Sequence, residues 1–300
     1  SLNMPFQLLG LCLALSAAAL NASIGILSKV LIERGFSPAA IAFYKTILAV
    51  GLLSVALLMA GKRQVLKASG AKWWQAALCA LLGIFTLFFF ETKAYQYENA
   101  ATVVVVLMAS ASVSSIILAR IVLKDAIDLD ITLGALLAVL GVYLIFKDAI
   151  GERFNWQGVF YSAVAGLGYG SFSVCMKKMN ILGGLLFTRA LLFWGAVYLF
   201  IPASLSHELS VNITVHTALL LLALAVLPTI LGFYCTTKAI QILKPSQVQV
   251  IELSEPLFAA VMAFLILHEI PNTSTLYGGA SILLGLLFAN GLINIRKLSR

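Results

Sequence analysis

Two carboxylates, Glu252 and Glu255, stand three residues apart inside an otherwise apolar stretch. On a helix that spacing sets them on nearly the same face. Two acids so close in a low-dielectric setting do not readily carry two negative charges, and a proton held there would suit proton coupling. Pro256 follows directly. It lacks an amide hydrogen and so releases the carbonyl of Glu252, as Pro228 does for Leu224. Freed carbonyls in an apolar stretch are tolerated where the backbone lines a cavity or where neighbours supply donors. A structural acid pair and simple packing kinks are the plainer alternatives.

Lys45 and Arg189 are the cations found well inside apolar runs, about two helical turns from the run ends. They could bind a carboxylate or phosphate, pair with Glu91, Glu252 or Glu255, or reach the headgroups along their own stems. Lys29, Lys93, Lys177 and Lys238 sit nearer the run ends, where snorkelling accounts for them. Asn21 lies in the middle of the first run with Ser28 on its face, and a mid-run amide needs a partner or a water-lined cavity. Of the aromatic residues, Tyr44, Tyr95 and Tyr169 are expected to face a cavity. Most of the others, Phe88, Phe89, Phe90 and Trp194 among them, suit packing or an interfacial belt.

Other chemistry is missing. There is no G-x-x-x-x-G-K-[ST] phosphate loop and no H-E-x-x-H. His207, His216 and His268 are dispersed, and Cys12, Cys79, Cys175 and Cys235 lie singly in apolar runs as small packing residues. No cofactor and no enzymatic activity is expected, and no long polar segment could house catalysis.

The positioning elements follow from composition. Of 300 residues, 61% are hydrophobic and 11% charged, where a soluble domain carries about a quarter charged. A span needs roughly 20 apolar residues. Ten such runs occur, at about 5–32, 38–60, 73–97, 100–122, 130–147, 156–179, 183–205, 215–240, 246–267 and 273–294. They exceed barrel strands in length and do not alternate, so they are expected to be helices. The first run has a signal-peptide-like Ala17-Ala18-Ala19, but no basic residue precedes it and it continues to Val30, so it is read as a span.

The net charge of +8 does not point to nucleic acid, because the basic residues sit mainly in short loops. With a cytoplasmic N-terminus, inside flanks hold Lys62, Arg63, Lys67, Lys72, Arg120, Lys124, Lys177, Lys178, Lys238, Lys244, Arg296, Lys297 and Arg300. Outside flanks hold only Arg34, Lys93, Lys147 and Arg153. The positive-inside rule then places both termini in the cytoplasm.

The halves resemble each other, dividing the chain into 1–150 and 151–300. Thr92-Lys93-Ala94-Tyr95-Gln96 matches Thr237-Lys238-Ala239-Ile240-Gln241 at an offset of 145, and Leu123-Lys124-Asp125 matches Leu267-His268-Glu269 at 144. Gly134 and Gly141 match Gly278 and Gly285 at 144, as Lys45 matches Arg189, while Lys29 matches Lys177 at 148. Five spans per unit is an odd number, so the units insert with opposite orientation. Such an inverted repeat gives two near-equivalent conformations, one open to each side. The glycine pairs, with Gly166 and Gly170, are read as close-packing positions.

The stretch Phe233 to Glu269, FYCTTKAIQILKPSQVQVIELSEPLFAAVMAFLILHE, resembles the drug/metabolite transporter superfamily, EamA type, in its polar helix end, short turn, central Glu255-Pro256 and closing Glu269. Asn21 through Phe43-Tyr44-Lys45 resembles the family's first two spans. The first-half counterpart of Glu255-Pro256 is Ser110-Ala111, which makes Ser110 a candidate contact. The resemblance implies an all-α fold of ten transmembrane helices in two inverted five-helix repeats, and small-molecule transport, often efflux. Together with the polar content it implies a site between the first, third, fourth, sixth, eighth and ninth spans.

The expectation is a multi-pass protein of a bacterial inner membrane, with a small-molecule substrate, the lipid bilayer and protons as its partners. It would export a small amphipathic metabolite such as an amino acid by alternating access. Expected substrate contacts are Asn21, Tyr44, Lys45, Tyr95, Ser110, Tyr169, Arg189, Glu252 and Glu255, with Glu255 and Glu252 as coupling groups. The alternatives are an efflux carrier for drugs or organic cations, an intramembrane enzyme, and a channel.

Overall fold

The computed structural model describes residues 4–61 and 71–294. Lys62, Arg63, Lys67, Arg296, Lys297 and Arg300, which weigh in the charge asymmetry, lie outside the described residues. The ten helices are α1 (Met4–Glu33), α2 (Pro38–Met59), α3 (Trp73–Tyr95), α4 (Ala100–Val122), α5 (Leu129–Phe146), α6 (Trp156–Lys178), α7 (Leu185–Leu205), α8 (Val215–Ile242), α9 (Pro245–Glu252 and Glu255–Leu267) and α10 (Thr273–Ala289). Nine of these, among the described residues, are long and apolar enough to cross a bilayer, and α10 is a shorter apolar helix. The protein is a multi-pass integral membrane protein.

Polar residues set the helix starts. Ser37, Asn99, Asp128, Asn155, Thr214 and Asn272 each accept a hydrogen bond from a first-turn backbone N–H. This satisfies donors that the helix leaves without a partner. Large apolar side chains such as Val113, Leu136 and Phe160 point outward and are exposed, as a lipid-facing surface requires.

Four helices are irregular, and these surround the middle of the protein. α1 breaks at Ala22, directly after Asn21. α9 breaks at Leu253 and Ser254, so that Pro256 enters the second segment near its start, where a missing N–H costs little. α3 and α8 each contain a π-helical turn, at Leu81–Thr86 and Ala225–Gly232. In α8 the turn holds Pro228, and the Thr229 hydroxyl donates 2.8 Å to the carbonyl of Leu224, the group the proline frees. In α3, with no proline, the Thr86 hydroxyl donates 2.7 Å to Leu81 O.

Packing is tightest away from these breaks. α5 and α10 form a peripheral pair in which Gly141 and Gly278 face each other, and a Cβ on Gly141 would lie 2.4 Å from the Gly278 carbonyl. α4 runs along α6, where a Cβ on Gly166 would lie 2.2 Å from Leu107 O. Small residues permit this approach in lipid, where dispersion contacts drive helix association. The second segment of α9, by contrast, packs chiefly on α1 and α10, and most of its described side chains are only partly buried.

Candidate substrate site

The irregular helices enclose a chamber of about 210 Å³ lined by α1, α2, α3, α4, α6, α8 and α9. α1 contributes Asn21 at its break, where the Asn21 Oδ1 lies against the backbone of Gly232. α2 contributes Lys45, which is 5% exposed and places its ammonium 4.2 Å from the centre of the Phe88 ring. Among the described residues no carboxylate lies within 4.0 Å of that ammonium. Glu91 and Glu255 both line the same chamber and are near enough to act on Lys45 through their charge.

The carboxylates have unlike surroundings. Glu252 accepts hydrogen bonds from the hydroxyls of Tyr169 at 2.7 Å and Thr236 at 2.6 Å, and is buried. Glu91 accepts one from Tyr95 at 2.8 Å, four residues on along α3. Glu255 has no hydrogen bond among the described residues. It stands at the start of the second α9 segment, and helix N-termini favour negative charge. Gln249 donates 2.7 Å to Ser173 at the chamber's inner end.

Six of the nine expected residues therefore meet in one place: Asn21, Lys45, Tyr95, Tyr169, Glu252 and Glu255. Three are engaged elsewhere. The Tyr44 hydroxyl donates to Leu209 O, the Ser110 hydroxyl donates 2.6 Å to Ala163 O on α6, and Arg189 Nε donates 2.7 Å to the Ser54 hydroxyl. Glu91 and Gln249 join the lining without having been expected as contacts. Glu91 carries a legible signal, since it precedes Tyr95 by four residues and so shares its helical face.

The chamber continues at one end into a vestibule of about 600 Å³. The two share Ile24, Gly25, Lys45, Phe88, Glu91 and Tyr95. The vestibule runs past Ser28 and Lys29 to the exposed Glu33, Asn99 and Ala100 at the helix ends. On the opposite side, the cavity lined by Met176, Lys177, Ile240 and Gln241 shares no lining residue with the chamber. Lys177 there holds the end of α8, and Leu243 lies against α1, where a Cβ on Gly10 would fall 2.6 Å from its Cγ.

A family model described as the EamA-like transporter family matches the chain twice, over residues 8–147 and 156–291. The chain belongs to the EamA-like transporter family. An uncharacterized transporter of Clostridium kluyveri is 27% identical over 231 residues, covering 75% of this chain and 74% of the relative. One from Archaeoglobus fulgidus is 27% identical over 253 residues, covering 83% of this chain and 86% of its own. A crystal structure 16% identical in sequence matches 97% of this chain and 99% of its own with a TM-score of 0.80, a likeness of fold. The protein is thus a membrane transporter, and the chamber is the place within it where polar groups converge.

Proposed function

We propose that this EamA-like protein is a secondary exporter of small zwitterionic metabolites, such as amino acids, working by alternating access and coupled to protons. The observation that carries the substrate class is the layout of the chamber. A buried lysine with no ion pair among the described residues faces a space that also holds Glu91 and Glu255. A ligand carboxylate would meet Lys45, and a ligand ammonium would meet the acids, so each charge gains a partner in a site shielded from water. Phe88, Leu107, Met108 and Phe233 supply apolar surface for the rest of the ligand. The volume of about 210 Å³ falls below the roughly 300–1,000 Å³ of drug-sized pockets. That favours a small metabolite.

In the proposed cycle the two halves, 1–150 and 151–300, rock as inverted repeats around this chamber. Lys72, Arg120, Lys124, Lys177, Lys178, Lys238 and Lys244 support an orientation with both termini in the cytoplasm of a bacterial inner membrane. The open vestibule then faces outward. Glu255, the carboxylate with no hydrogen-bond donor on it among the described residues, is the proposed proton carrier.

A second reading, a carrier of organic cations, is favoured by a different count: among the described residues, the chamber lining holds Glu91, Glu252 and Glu255 against the one cation Lys45. One experiment separates them. The protein in detergent is screened by thermal shift against amino acids, organic acids, nucleosides, sugar phosphates and organic cations, since a ligand that binds the folded state raises its apparent stability. The expected hit is a zwitterion whose effect is weakened in Lys45→Met. Hits confined to cations without a carboxylate would transfer the assignment to the second reading.

A further inference from the structure

Lys177 and Lys29 hold matching places in the two halves but different surroundings. Lys177 sits in the last turn of α6, and its Nζ donates to the carbonyls of Ile240 at 2.9 Å, Gln241 at 3.1 Å and Leu243 at 3.1 Å. Those are carbonyls that the end of α8 leaves without an N–H partner, and a cation at a helix C-terminus also meets the negative end of its dipole. This is more than a side chain reaching for headgroups: the ammonium ties α6 to α8 on that side.

Lys29 stands 148 positions earlier, near the end of α1, exposed on the vestibule wall with Tyr95 and Glu98 on the same cavity. Among the described residues its ammonium makes no hydrogen bond or ion pair. No hydrogen bond among them reaches the main-chain carbonyls of Tyr95, Gln96 or Glu98 either. These three residues match Ile240, Gln241 and Leu243 at an offset of 145. Elsewhere the halves keep the correspondence. A Cβ on Gly10 would lie 2.6 Å from Leu243, and one on Gly158 would lie 2.6 Å from Glu98. Gly158 matches Gly10 at 148, and Glu98 matches Leu243 at 145. The contacts α1–α8 and α3–α6 are thus alike, and the difference falls at the two lysines.

We propose that Lys29 and Lys177 are reciprocal gate locks, each capping the C-terminal carbonyls of the helix opposite when its own side is shut. In the state described here Lys177 caps α8. When the vestibule closes, Lys29 caps α3 through Tyr95, Gln96 and Glu98, and Lys177 lets go. Each state satisfies one helix end and leaves the other lysine in water, which keeps the two conformations near one another in free energy. An alternating carrier needs that, because a ligand shifts an equilibrium only by its differential affinity for the two states. The proposal rests on the alternating-access reading but not on any substrate.

The test uses the full chain, with its four cysteines replaced by serine or alanine, in proteoliposomes. A single reporter cysteine is placed at Ser28, which lines the vestibule, or at its match Met176, which is 1% exposed. The rate of modification by a hydrophilic maleimide reports which side is open. Lys177→Met is expected to slow labelling at position 28 and speed it at position 176, each by about tenfold or more, the weight of a charge-assisted hydrogen bond. Lys29→Met is expected to do the reverse. Arginine at either position should return the rates toward the parent. Should Lys177→Met fail to fold, Lys29→Met carries the test, since its side chain has no hydrogen-bond or ion-pair partner among the described residues to lose. Labelling at both positions in the parent that neither lysine variant shifts would overturn the locks while leaving alternation intact. A parent never labelled at position 176, with no variant changing that, would sink alternation and the locks together.

Discussion

Removing the Lys45 charge should cost affinity for the carboxylate half of a ligand and nothing else. Lys45 is buried against Phe88, with no carboxylate within 4.0 Å among the described residues. A bound ligand would therefore supply its first direct ionic partner. A hydrogen bond to a charged group contributes about 1.5–3 kcal/mol, which is roughly 10- to 150-fold in Kd. Lys45→Met keeps an unbranched, polarizable side chain over the ring and removes the ammonium. Because no ion pair is broken, the apparent Tm of the unliganded protein should not fall. The assay is calorimetric titration of the purified protein with the zwitterion found by thermal shift, with its methyl ester, and with its des-amino acid. The variant should lose that 10- to 150-fold for the zwitterion and the des-amino acid. For the ester, which has no carboxylate, the change should stay below about threefold. An equal loss for zwitterion and ester would refute the reasoning, because Lys45 would then act by shaping the chamber rather than by meeting the carboxylate.

Three further outcomes follow from the same geometry. Tyr169→Phe removes one of the two hydroxyls on the buried Glu252, and a loss of about 1.5–3 kcal/mol is expected in thermal or denaturant unfolding; Thr236→Val should cost a similar amount. Gly141→Leu drives a side chain into the Gly278 carbonyl at 2.4 Å, so α5 and α10 must separate. It should lower the Tm without changing ligand affinity in whatever folds, since neither helix lines the chamber. Glu255→Gln should leave counterflow exchange running in proteoliposomes while abolishing its acceleration by an imposed proton gradient, and retained acceleration would remove Glu255 from the coupling role.

The sequence made the architecture legible because lipid leaves little choice: apolar runs of span length must be helices. Asn21 and Glu255 could be read as cavity-lining residues for a similar reason, since a polar group in such a run needs a cavity or a partner. What escaped was rotation and local geometry. The match of Lys45 with Arg189 gives a depth along the helix, yet Lys45 turns to the chamber and Arg189 to Ser54. Ser110 stands where Glu255 stands in the other half, but in this conformation α4 is pressed along α6 and its hydroxyl is spent on Ala163. Tyr44 lies beside Lys45 in sequence and therefore points about 100° away on the helix, toward Leu209. The π-helical turn at Leu81–Thr86 has no proline to announce it. Lys177, at a helix end, fitted snorkelling until its three carbonyl partners were seen.

The measurement that bears most directly on the central claim is counterflow in proteoliposomes. Vesicles loaded with millimolar unlabelled ligand from the thermal-shift screen are diluted into trace labelled ligand. A carrier that exposes one chamber to each side in turn should take up label faster than empty vesicles and concentrate it transiently above the outside level. Uptake that is no faster in loaded vesicles, and that rises linearly with concentration without saturating, would contradict alternating access through this chamber.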